Sequence, residues 1–381
     1  MYFRKGMAIH LHIVTSDFPN GVDNPQLSDA FFLIKALSHQ KINIHLHSFV
    51  LLNEEPSVQL TELCSSISFY QRDKSNISFK ADLPYHVSTR SSQKLIDRLN
   101  EDTFPVIFIG LSSSYPLYGN QLRSDRKFVV RLNKNEAAYY HQLAALVPWK
   151  GKKVHYQIEA WRMRKFLKKL ISKKISFFYS SDAIVQNIKP HITSQFNSLA
   201  LFTGMPPVFH QPGNGHFCLF YGRLSDEETS YAASWLLEHV FNTLEIPFVI
   251  AGSRPSTHLE NAAHVRQHTC LVSNPGEKEM QDLIKKAQVV LSPAFIQHEE
   301  DDHLLQAMAL GKHVLINPKS SRKTQSIACC HLVQSPEEFI EKTRTLFETP
   351  FSEEEKYARQ HLLNAKFQDE KSLEKIISWL S

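Results

Sequence analysis

The stretch VVLSPAFIQHEEDDHLLQAMALGKHVLINP, Val289 to Pro318, carries the decisive pattern of this 381-residue chain. Its two apolar runs, VVLS and HVLI, have the length of buried strands. Between them lie a polar loop, a short helical period and a tight turn at Gly311. Strand, helix and strand in that order form the unit of a parallel sheet, where ligands meet the loops that leave the carboxyl ends of strands. The loop runs through His298, Glu299, Glu300, Asp301, Asp302 and His303. Consecutive carboxylates suit a helix start, because the helix dipole and unpaired N–H groups favour negative charge there. The same place also suits a carboxylate, or Gln306 one turn later, that holds a ligand hydroxyl.

The same alternation extends outward in both directions. Towards the N-terminus, strands are expected at Ala8–Val14, Asn43–Val50, Ser66–Tyr70, Pro105–Leu111, Lys127–Leu132 and Ala183–Asn187. Helical periods fall at Gln26–Ser38, around Lys94–Leu99, and at Glu136–Leu146 and Ile158–Ser172. The segment GMPPVFHQPGNG, Gly204–Gly215, is rich in Pro and Gly and reads as an interdomain connection. Beyond it the alternation resumes with FCLFYGRLS, a helix Glu227–Phe241, the strand PFVIAG at Pro247–Gly252, a strand at Cys270 and a helix Lys278–Lys286. Ser335 with Pro336 and Glu338, and Ser352 with Glu355, have the spacing of capped helix starts. The last thirty residues read as helical.

Length favours two domains over one core. A hydrophobic content of 42% and an aromatic content of 11% are those of a globular chain, and the net charge of +5 is too small to argue for nucleic acid. Five cysteines without a CxxC pair or zinc spacing predict reduced thiols and no metal motif. No run reaches the length of a membrane span, and the basic, then apolar N-terminus flows into a strand without a cleavage site, so a cytoplasmic protein is expected. His10 with His12 and His45 with His47 share faces of two strands, where packing histidines are the expectation over a metal site. The segment from Trp161 to residue 174 is basic and amphipathic. It reads as a domain helix with a solvated face, with peripheral contact to the inner face of a membrane as the alternative. Cys329 and Cys330 read as buried thiols.

Several ordered segments resemble family 4 glycosyltransferases of the GT-B class: FYGRLS (Phe220–Ser225), FVIAG (Phe248–Gly252), the helix before AQVVLSP, and LLQAMALGKHVLINP. HIVTSDFP, FFLIKAL, INIHLHSF, PVIFIGL and RLNKNEAAYYHQLA are similar to a branch of that family associated with Bacteroidetes genomes. The resemblance implies an α/β GT-B architecture: two doubly wound, Rossmann-like parallel-sheet domains, at 1–205 and 206–350. A helical segment, 351–381, would then return to the first domain. It further implies transfer of a sugar from a UDP- or GDP-type nucleotide sugar to a glycan or lipid-linked acceptor, with no cofactor and no metal. On this reading Gly222 and Arg223 meet the donor diphosphate, and Glu299 or Glu300 holds donor hydroxyls. His298 and Gln306 stand at the two positions where the family carries carboxylates. Asp17 and Glu136 would face the acceptor as catalytic candidates. The chain departs from the family elsewhere too: Glu228 stands near the place of a phosphate-binding Lys, Asn24-Pro25-Gln26 replaces a glycine pair, and Ile109–Ser112 lacks the acidic and His residues of relatives. These departures admit an alternative, a catalytically inactive GT-B protein that binds a glycan, a nucleotide or a partner chain.

Overall fold

Strand formation follows the apolar runs. In this computed structural model the described residues are 9–19, 25–50, 55–73, 83–173, 175–186, 196–202, 212–297, 302–321, 328–366 and 369–380. Among them the first sheet contains β1 (His10–Thr15), β2 (Asn43–Val50), β3 (Ser66–Gln71), β4 (Val106–Ile109), β5 (Phe128–Leu132), β6 (Ser176–Tyr179) and β7 (Phe196–Ser198), in the order β3-β2-β1-β4-β5-β6-β7. The second contains β8 (Phe217–Arg223), β9 (Phe248–Ser253), β10 (Thr269–Ser273), β11 (Ala287–Ser292), β12 (His313–Ile316) and β13 (His331–Leu332), in the order β10-β9-β8-β11-β12-β13. Every strand pair is parallel. Helices cover both faces, which is why the central strands read as continuous apolar runs and why VIFI of β4 is wholly buried. In each sheet the strand order reverses beside its first strand, between β1 and β4 and between β8 and β11. A doubly wound sheet opens its ligand crevice at that reversal.

One element differs from the sequence reading. Residues Asp182–Val185 form a helical turn where a strand is expected, and the strand lies earlier, at Ser176–Tyr179. Ala183-Ile184-Val185 is too short for its periodicity to distinguish helix from strand, and Ser181 with Asp182 favours a helix start. The aromatic run Phe177-Phe178-Tyr179 fills the slot between β5 and β7, with Phe177 stacked on Phe196 at 4.8 Å.

The C-terminal segment returns to the first domain. Helix Asp369–Leu380 places Ile376 in the core with Leu11 and Ile107, and Trp379 meets Phe178 edge-on. Where the chain passes between the sheets, Gly213 and Phe351 exchange backbone hydrogen bonds of 3.0 Å. All five cysteines are free thiols.

Helix Pro25–His39, which follows β1, is tied down by a buried ion pair. Asp29 and Arg131, both fully buried, pair at 2.5 and 2.6 Å through two guanidinium nitrogens. Asp29 also accepts from Asn133 Nδ2 at 2.7 Å and from the Phe202 N–H at 2.7 Å. The strand histidines pack as hydrogen-bonded chains. One runs from Tyr70 through His47 and His12 to Asp102, with neighbouring separations of 3.0, 2.8 and 3.1 Å. His10 and His45 pair beside it at 2.9 Å. In the basic helix Lys150–Ser172, Phe166, Leu167, Leu170 and Ile171 point into the core.

Candidate active site

The two sheet reversals face each other, and charged residues fill the space between their carboxyl edges. Asp17 follows β1 and is buried. Its Oδ2 pairs with Arg72, just past β3, at 2.8 Å and with Arg223, the last residue of β8, at 2.5 Å. Arg254, just past β9, stands at 3.6 Å from the same oxygen. A fourth guanidinium, that of buried Arg90, donates to the Ser16 carbonyl at 2.9 Å and to the His86 carbonyl at 2.7 Å. Arg72 shares the Ser16 carbonyl, also at 2.9 Å. Arg72 and Arg90 thus belong to the first domain, Arg223 and Arg254 to the second, and Asp17 holds the two sets together.

Among the described residues the charge balance in this cluster is positive. Three guanidinium groups lie within 4 Å of the Asp17 carboxylate, with Arg90 on the neighbouring Ser16 carbonyl, and a second carboxylate, Asp226, lies 3.7 Å from Arg223. Burial alone would raise the Asp17 carboxyl, but Arg223, Arg72 and Arg254 outweigh it and hold the group below the ordinary carboxylate value. Arg72 Nε and Ser253 Oγ are buried polar atoms with no hydrogen-bond partner among the described residues, and Ser253 lies opposite Arg223 in the strand register. Buried donors with excess positive charge at a sheet reversal suit a multiply charged anion with several oxygens.

Backbone geometry brings Arg223 to this position. Gly222 has φ of 152°, which side-chain-bearing residues rarely adopt, and a Cβ there would meet Thr229 at 3.1 Å and His303 at 3.3 Å. A Cβ on Gly252 of β9 would collide with the Gly222 carbonyl. The close approach of these two glycines lets the two strands end in register at Arg223 and Ser253, with Arg254 next in the chain. Tyr221 donates its hydroxyl to the His303 carbonyl at 2.7 Å and so anchors helix Asp302–Leu310 beside β8.

Several known structures share the whole architecture. A sucrose-phosphate synthase from Thermosynechococcus elongatus superposes with a TM-score of 0.66 at 12% identity, covering 98% of each chain. Anabaena Alr3699/HepE in complex with UDP-glucose gives 0.63 at 9% identity, covering 98% of this chain and 99% of the other. WaaG, a glycosyltransferase involved in lipopolysaccharide biosynthesis, gives 0.60 at 14% identity, covering 98% and 100%. The chain has the GT-B fold. No family model matches the sequence, and no curated protein matches it either, so the likeness to family 4 is one of separate motifs.

Within this GT-B frame the predicted residues separate. Asp17, Gly222 and Arg223 come together at the cleft. Glu136 opens helix Glu136–Leu146 and is buried, with its Oε1 accepting the Leu111 N–H at 2.6 Å and its Oε2 the Ser112 hydroxyl at 3.0 Å. It secures the loop after β4. Gln306 lies on the buried side of helix Asp302–Leu310. His298, Glu299 and Glu300 lie outside the described residues. Glu228 accepts the Ile296 N–H at 3.1 Å and fixes the start of the loop that precedes them. Sequence reading missed Arg72, Arg90 and Arg254. For Arg72 and Arg254 a signal exists, since each lies immediately past a strand's carboxyl end, where a parallel sheet places its ligands.

Proposed function

We propose that this protein is a glycosyltransferase that takes its sugar from a nucleoside diphosphate donor. The observation that supports this reading best is the interdomain cluster of Arg72, Arg90, Arg223 and Arg254 around Asp17, at the facing reversals of two GT-B sheets. Loss of the diphosphate develops negative charge on its oxygens, and preorganised cations lower that barrier. Fixed guanidinium groups supply the charge that a divalent ion would otherwise bring, so the reaction proceeds without a metal in the cleft. In the resting cleft Asp17 holds these arginines, and the entering diphosphate takes over their donors. A carboxylate held below its ordinary pKa is a weak base, so the leaving phosphate receives the acceptor proton.

The acceptor is lipid-linked in this reading. Val154, Ile158 and Trp161 are exposed at helical spacing on Lys150–Ser172, and Trp149 precedes them. Lys165 lies 3.9 Å over the Trp161 ring. An apolar stripe among cations fits an anionic membrane surface, where such a helix would bring the first domain to its acceptor. The test is a panel of UDP- and GDP-sugars, with nucleotide release measured in the presence and absence of lipid extracts. Release that depends on Arg223 and is stimulated by lipid supports the reading. Tight nucleotide binding with no turnover of any donor would instead support the inactive binding protein.

A further inference from the structure

At the other end of the second sheet, away from the cleft, three residues converge on one point. His313 is the first residue of β12, His331 the first of β13, and Glu355 lies in the first turn of helix Glu353–Lys366. Arg223, by contrast, ends β8 at the carboxyl edge. His313 Nδ1 lies 3.3 Å from His331 Nε2 and 3.5 Å from Glu355 Oε1, and the last two atoms are 4.0 Å apart. The nearest point equidistant from the three atoms, in their own plane, lies about 2.1 Å from each, which matches Zn–N and Zn–O bonds.

Each of two side chains is oriented from behind. His313 Nε2 lies 3.0 Å from the Thr349 carbonyl, which can only accept, so that nitrogen carries the proton. The lone pair of His313 therefore sits on Nδ1 and faces His331 and Glu355. A ring nitrogen anchored on a carbonyl, with the other left to ligate, is the usual arrangement behind metal-bound histidine. Glu355 is fixed by the capping box: its Oε2 accepts the Ser352 N–H at 3.0 Å and the Ser352 hydroxyl at 3.2 Å, while Ser352 Oγ accepts the Glu355 N–H at 3.2 Å. Its Oε1 is left for the histidines. Phe351 closes the inner side with its ring edge-on to His313 at 5.4 Å. His313 is buried while His331 and Glu355 are partly exposed, which provides an entry path from solvent. Of the described residues, these three make the set whose ligand atoms all lie within 4.8 Å of one another.

The structure assigns His313, His331 and Glu355 as a binding site for a divalent metal ion of the Zn2+ type. Two imidazole nitrogens and one carboxylate oxygen are a borderline donor set, and three protein ligands leave a position for water. The ion would staple three pieces of chain: β12, the two-residue edge strand β13, and the helix that follows the return crossing at Phe351. Its role is to hold that helix, and hence the returning C-terminal segment, against the second sheet. It has no part in the cleft chemistry.

The test uses the full-length chain stripped with chelator and titrated with CoCl2, followed by competition with ZnCl2. Wild type is expected to take up one equivalent of Co2+ with visible d–d absorption, which Zn2+ displaces, and to melt at a higher temperature with Zn2+. His331→Gln and Glu355→Gln should each weaken Co2+ binding by at least about ten-fold and abolish the Zn2+-dependent rise in melting temperature. Gln at 355 still serves a capping box, so this variant should keep the metal-free circular dichroism spectrum and melting temperature of wild type. His45→Gln, on the first domain, should leave Co2+ binding unchanged. Absence of saturable binding by wild type overturns the assignment, and so do wild-type affinities in both His331→Gln and Glu355→Gln. Loss of the signal in His45→Gln alone would overturn it as well.

Discussion

Replacing Asp29 by Leu should be among the most damaging single changes in the first domain, and its cost follows from the groups left behind. Asp29 accepts two bonds from Arg131, one from Asn133 and one from the Phe202 N–H, and Asp29, Arg131 and Phe202 are themselves fully buried. With the carboxylate gone, the Arg131 guanidinium keeps, among the described residues, the Leu199 and Ala200 carbonyls at 3.4 and 2.9 Å and the face of the Phe202 ring at 5.6 Å. A buried charge stripped of its partner costs about 3–5 kcal/mol. The orphaned Phe202 N–H would alone cost about 1–3 kcal/mol. The two terms share one site and do not add fully, so the expected loss is about 4–5 kcal/mol. Removing the charge as well, in Asp29→Leu with Arg131→Met, should recover about 2 kcal/mol of that loss, because an apolar pair can replace a buried ion pair. Urea unfolding followed by tryptophan fluorescence measures this well: of the four tryptophans, Trp149, Trp161 and Trp379 lie on the first domain. A single-variant loss below about 1.5 kcal/mol, or a double variant less stable than Asp29→Leu alone, would refute the argument, since an uncompensated buried charge must be relieved when it is removed.

Other expectations follow from the cleft and the histidines. Asp17→Asn removes a carboxylate that Arg72 and Arg223 share, so pyrophosphate should bind more tightly, by about five- to ten-fold after screening; calorimetry showing weaker binding would mean that Asp17 chiefly organises the arginines. Gly252→Ala forces a methyl group onto the Gly222 carbonyl and should cost about 1–3 kcal/mol, with displacement of Arg223; a fully stable variant with wild-type nucleotide affinity would contradict that packing. Burial holds His12 neutral, with a pKa of about 4, and lowers His47 well below its ordinary value as well. Below pH 6.5 the unfolded chain then binds more protons than the folded one. Stability should therefore be level above neutrality and fall between pH 6.5 and about 4, by up to about 1.4 kcal/mol per pH unit for each such histidine; denaturation midpoints flat across that window would contradict it.

The fold was legible because parallel strands buried on both faces leave continuous apolar runs, as VIFI and VVLS do. The region after helix Lys150–Ser172 was harder. FFY and AIV are both short and apolar, and only the open slot beside β5 decides which of them is strand. Legibility of the site was uneven for a related reason. Arg223 stands in a motif and Asp17 at a strand end, so each was visible singly. Their pairing joins positions 206 residues apart and comes from the packing of two domains. Glu136 was visible as an acid at a helix start, but its task, securing Leu111 and Ser112, depends on a loop 24 to 25 residues earlier in the chain. His313, His331 and Glu355 show no ligand spacing in sequence; sheet register and a capping box bring them together.

The central claim is that the arginines between the two sheets bind the diphosphate of a nucleotide donor. Titration of the full-length protein with UDP and with GDP, in wild type and in Arg223→Ala, tests it most directly. The account predicts saturable binding of at least one nucleotide by wild type. It also predicts a dissociation constant about ten- to a hundred-fold higher in Arg223→Ala, as expected for the loss of charged hydrogen bonds to phosphate. Wild type that binds neither nucleotide at millimolar concentration, or Arg223→Ala that binds as tightly as wild type, would contradict it.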